Sequence, residues 1–114
     1  MSLLENLTTI IKELKIPVET GVFSNAAPNQ YVVLIPVVSS YELYADNEPQ
    51  KDIEEVRISI YSKGNYLSLK KQIEKKMINS DITITDRRYN GFEKDTKYHH
   101  YTIDVAKDYD VEEE

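Results

Sequence analysis

The chain has 114 residues, with 20 acidic against 14 basic side chains, a net charge of −6 and no cysteine. Its length fits one domain, and the missing cysteines exclude a disulfide scaffold or a thiolate metal site, in keeping with a reducing cytoplasm. The acidic balance argues against gripping nucleic acid by neutralising phosphates, and no apolar run approaches the ~20 residues that cross a bilayer.

The N-terminus lacks the basic start and small-residue cleavage site of a signal peptide and reads instead as an amphipathic helix over residues 2–15. Leu3, Leu4, Leu7, Ile10, Ile11 and Leu14 recur at helical spacing, and Ser2 with Glu5 forms a capping box. Pro17 ends the helix by forcing its predecessor toward extended geometry. A short strand is predicted at 18–23, followed by a turn-rich segment at 24–30.

The apolar run YVVLIPVV at 31–38 reads as a strand covered on both faces, or on one face by a partner subunit. Pro36, which has no amide donor, places that part at an edge or a bulge. Residues 39–52 read as a Tyr-rich loop, with room for a short strand at 41–45 and a turn at Asp46-Asn47-Glu48-Pro49. Residues 53–61 are predicted to be a half-buried strand, with Val56, Ile58 and Ile60 alternating against Glu55, Arg57, Ser59 and Tyr61.

Asn65 is placed to cap a helix running to about Asn79, on which Tyr66, Leu69, Ile73 and Met77 form the apolar stripe. Residues 81–89 and 97–106 then form a hairpin. Asn90-Gly91 is one candidate for its turn. The segment Glu93-Lys94-Asp95-Thr96, with Gly91 in a bulge, is preferred because it leaves Phe92 in the sheet. The expected fold is α+β: a single, mainly antiparallel sheet with two helices on one face. One domain spans 1–107, and 108–114 forms a flexible acidic tail.

Residues that do chemistry are sparse. His99 and His100 are adjacent on a strand and point to opposite faces, so they cannot share one metal ion. His100 and Asp104 lie roughly 13 Å apart along a strand, too far for a general-base pair. Glu54 and Glu55 also face opposite ways, and Gly21, Gly64 and Gly91 match no phosphate-binding pattern. Lys70, Lys71, Lys75, Lys76, Arg87 and Arg88 could form a phosphate patch, but a solvated surface accounts for them better in an acidic chain. No catalytic, cofactor-binding or metal-binding residue is assigned. Nine tyrosines with no tryptophan point instead to contact surfaces. The candidate interface is Tyr41, Glu42, Leu43, Tyr44, Asp46, Asn47 and Glu48.

Two segments, SSYELYADNEPQKDIEEVRISIYSKGNYLSLKKQIEKKM and RRYNGFEKDTKYHHYTIDVAKDYDVEEE, resemble the tail-completion or tail-terminator proteins of long-tailed bacteriophages and prophages. These proteins are also described as minor capsid or head–tail joining proteins. The resemblance implies a non-enzymatic subunit of a ring, commonly a hexamer, at the head-proximal end of the tail tube. Its implied partners are further copies of itself, the major tail-tube protein and the head–tail connector, with DNA passing through unbound. It would reside in the bacterial cytoplasm during assembly and in the virion afterwards. A head-completion adaptor and an unrelated cytosolic binding module are the alternative readings.

Overall fold

The computed structural model describes residues 2–21, 28–45 and 48–110, with the backbone alone at 38–45, 48–51 and Asp110. Helix α1 (Leu3–Glu13) starts where Ser2 Oγ accepts the Glu5 amide at 3.2 Å. The second half of the capping box differs from expectation. The Ser2 hydroxyl itself donates to the Glu5 carboxylate at 3.2 Å, while the Leu3 amide donates to Glu54 Oε1 at 3.0 Å. A carboxylate from the sheet thus meets the positive end of the helix. The helix closes at Leu14, and Lys15 turns left-handed at φ 61° before Pro17 is reached.

Five strands form one sheet in the order β1-β2-β3-β5-β4: β1 (Val18–Thr20), β2 (Gln30–Ala45), β3 (Glu48–Ser62), β4 (Thr83–Phe92) and β5 (His99–Asp110). Only the β1–β2 pair is parallel. Helix α2 (Tyr66–Asn79) connects β3 to β4 and is capped by Asn65, whose Oδ1 accepts the Ser68 amide at 3.1 Å.

The strand register explains the core. Val32, Ile60 and Tyr101 align across β2, β3 and β5, as do Leu34, Ile58 and Ile103, and then Pro36, Val56 and Val105. The apolar members of these rows pack with Leu3, Leu7 and Ile11 of α1 and Leu69, Ile73 and Met77 of α2 in one buried cluster. Both helices therefore cover the same face of a mainly antiparallel sheet, which is the α+β arrangement expected. The C-terminal hairpin also follows the preferred reading. Its turn lies at 93–98, the register shifts between Tyr89 and Gly91, and Phe92 pairs with His99.

Three expectations change. Strand β1 stops at Thr20, and Phe23 lies outside the described residues. In the segment expected as a loop at 39–52, the short strand at 41–45 is present but as part of a longer ladder: β2 and β3 stay paired out to Ala45 and Glu48. Asp46 and Asn47 between them lie outside the described residues; before them, aromatic Tyr41 and Tyr44 suit a strand. Pro49 is tolerated at the start of β3, outward of Lys51, which pairs with the last described residue of β5. Finally, β5 runs through Asp108, Tyr109 and Asp110, so part of the expected acidic tail belongs to the sheet. Tyr109 is fixed there by its hydroxyl, which accepts from Asn6 Nδ2 at 2.7 Å. Residues 111–114 lie outside the described residues.

Pro36 lies at both an edge and a bulge. The amide of Val32 and the carbonyl of Leu34 bond toward β1, so alternation turns Pro36 outward, away from β3. Its missing N–H therefore removes no bond between β2 and β3. Pairing with β1 ends at Leu34, and the β2–β3 register shifts between Pro36 and Val38.

Candidate functional site

The candidate interface lies on an extension of the β2–β3 hairpin. Tyr41, Glu42, Leu43 and Tyr44 are on the outer part of β2, and Glu48 opens β3 opposite Ala45. Asp46 and Asn47 lie outside the described residues. At about 3.3 Å per residue, a strand as long as β2 spans much of the molecule's 55 Å long axis, whereas the other two axes are 24 and 23 Å. Beyond Lys51, which pairs with Asp110, the hairpin has only its own two strands among the described residues. Residues 41–50 contain Glu42, Asp46 and Glu48 but no lysine or arginine.

The sheet face away from the helices carries a second arrangement, one that reading the residues one by one misses. Tyr31, Tyr61 and His100 stand in one cross-strand row. Tyr31 stacks on Tyr61 at 4.8 Å and Tyr61 on His100 at 4.3 Å, while Tyr98 meets both tyrosines edge-on. The Tyr98 hydroxyl donates to the Pro28 carbonyl, which anchors the end of the row. Burial raises the pKa of Tyr31 and Tyr61 and lowers that of His100, whose Nε2 is buried without a hydrogen-bond partner. The only sequence signal for this row was the alternation of aromatic residues, since its assembly depends on the strand register.

Farther along that face, Arg57 grips Asp104 at two points, with Nε to Oδ1 at 2.9 Å and Nη2 to Oδ2 at 3.2 Å. This bond holds the Arg57 proton more tightly still. Asp104 is thus occupied by arginine, and His100 is stacked on tyrosine; they form no acid–base pair. A shallow concavity of about 330 Å³ lies between them, lined by Arg57, Arg88, Asn90, His100 and Thr102 among others. His99 lies on the helix side among Tyr66, Tyr89 and Phe92, so the histidines do separate as their adjacency required. Among the described residues, no three His, Asp or Glu side chains are placed to hold a metal ion. No described helix is long and apolar enough to cross a membrane.

The basic residues divide between α2 and β4. Arg87 reaches Glu74 at 3.4 Å, Lys76 reaches Glu13 at 3.6 Å and Arg88 reaches Asp86 at 3.3 Å. Lys70 lies over the Tyr101 ring. They do not converge on one phosphate-sized site. The arrangement is equipped for contact by extended surfaces: one projecting hairpin, an aromatic sheet face and a charged flank. No protein-family model matches the chain, and no curated protein is significantly similar to it.

Proposed function

We propose that this chain is a structural subunit of a bacteriophage or prophage tail, acting as a tail-completion ring at the head-proximal end of the tail tube. The observation that carries the reading is the β2–β3 hairpin, which extends past the last described residue of β5 with tyrosines and carboxylates and no basic residue. A two-stranded ribbon outside the core adds little to folding, because it buries no helix-covered face. It is suited to contact with another protein. The resemblance over 39–77 and 87–114 supplies the particular role.

In this role the subunits join around a closed ring, and the ring covers the last layer of tube protein so that no further layer adds. The hairpin is a contact element of this assembly, and the head connector meets the side of the ring away from the tube. DNA passes through without being held, since an acidic lining repels phosphate. The mechanism requires shape and charge only.

The test is assembly of the major tail-tube protein of the same phage or prophage, with and without the chain, followed by electron microscopy. The expected result is tubes that stop growing and carry a ring at one end. Tubes of unchanged length without end density overturn the proposal. Density on the head connector alone would favour the neighbouring-joint adaptor.

A further inference from the structure

The two long edges of this sheet are complementary to each other and cannot meet within one chain. At one edge lies β4 with the outer flank of α2. The spacing of Leu67, Lys71, Glu74 and Ile78 puts them on one helical stripe, and the Glu74–Arg87 contact turns that stripe toward β4. Tyr66 stacking on Tyr89 at 5.3 Å joins the two elements again. This flank exposes Leu67, Ile78, Tyr89 and Phe92, at 48%, 70%, 45% and 46%. Residues 66–92 carry six basic against three acidic side chains.

At the other edge lies β2, unpaired on its outer side beyond Leu34 among the described residues, with Ile35 and Val37 exposed at 38% and 53%. Its continuation is the carboxylate- and tyrosine-bearing hairpin. Strands β3 and β5 separate β2 from β4, so an acidic, aromatic projection and a basic, apolar flank face away from each other on one molecule.

We infer that the β4–α2 flank is the receptor for the β2–β3 hairpin of a second copy of this chain. Charge complementarity selects the occupant: a segment with three carboxylates and no cation meets a flank on which Lys70, Lys71 and Arg87 stand around Glu74. Two different surfaces meet, so the contact is heterologous, and repeating it produces a ring or a filament. The inference deepens the ring reading and rests on it for closure, assigning the hairpin to the neighbouring subunit.

The experiment is sedimentation velocity on the full chain at low and high salt, with two charge-reversed variants, K71E/R87E and E42K/E48K. Wild type is expected to self-associate at low salt and to dissociate as salt screens the contact. Each variant alone should associate roughly tenfold or more weakly. An equimolar mixture should recover, because each restores the opposite charge to the other. Ile78→Ser, at a position outside the core, should weaken association without changing the thermal midpoint.

A wild type that stays monomeric at high concentration overturns the inference. Variants that associate like wild type, or a mixture no better than its components, overturn it too. The tube assay separates this contact from the functional reading. Tubes capped by a charge-insensitive ring would refute the contact alone, and a charge-dependent assembly that leaves tubes uncapped would refute only the function.

Discussion

His100 is a residue whose protonation the fold resists. Burial against Tyr61 disfavours the imidazolium; Glu93 partly offsets this and Arg57 adds to it, leaving the pKa below its ordinary value. The unfolded chain takes up this proton near pH ~6.5, whereas the folded chain takes it up only at lower pH. Between those values the unfolded state binds more protons, so stability falls as pH drops through 6.5 and is fully present above it. His100→Phe preserves a flat ring and removes the unpartnered Nε2. We expect it to stabilise the protein by about 1 kcal/mol at pH 5.5 and to flatten the dependence above the carboxylate range. Urea titrations of both proteins at pH 5.5 and 7.5 check this. Equal slopes in the two would show that another group governs the response.

The elements differ in how much of them the residues disclosed in advance. Both helices were legible because Leu3, Leu7 and Ile11, like Leu69, Ile73 and Met77, repeat at helical spacing behind a capping residue. The core strands were legible from the alternation of Val56, Ile58 and Ile60. Of the outer hairpin only a short strand at 41–45 was legible, because Glu, Asp, Asn and Pro in 42–52 are common in loops and because a free ribbon lacks the one-sided burial that creates alternation. The aromatic row was hidden for a related reason: a register brings Tyr31, Tyr61 and His100 together from three strands. Gly91 was read correctly, since one residue too many opposite β5 demands a bulge. Its φ of 123° is open to glycine, while nothing lies within 4 Å of the Cβ position. Gly91→Ala should therefore cost about 1–2 kcal/mol through backbone strain alone. Gly64→Ala, equally uncrowded and without a positive φ, should change stability little. Comparing their thermal midpoints separates backbone strain from crowding, and equal losses would refute the assignment to strain.

At the scale of the whole molecule, folding and contact occupy different lengths of the same two strands. From Gln30 to Pro36, β2 lies within the helix-covered sheet; beyond Lys51, β3 has no second neighbour among the described residues. Glu42 pairs with Lys51, so replacing residues 43–50 by Asn-Gly closes the hairpin at an existing pair with a suitable two-residue turn. Lys51 keeps its register with Asp110, and every residue of the buried cluster remains. The shortened chain should unfold within about 1 kcal/mol of wild type, because it loses ribbon pairing and no core burial. Core amides of β3 and β5 should retain their hydrogen-exchange protection. Self-association and tube capping should both disappear, since Tyr44, Asp46 and Glu48 are gone and only Tyr41 and Glu42 of the projection remain. A large loss of stability would mean that the ribbon is part of the fold. Unchanged stability with unchanged assembly would move the contact to the aromatic face, where Tyr31, Tyr61 and His100 form the next surface to test.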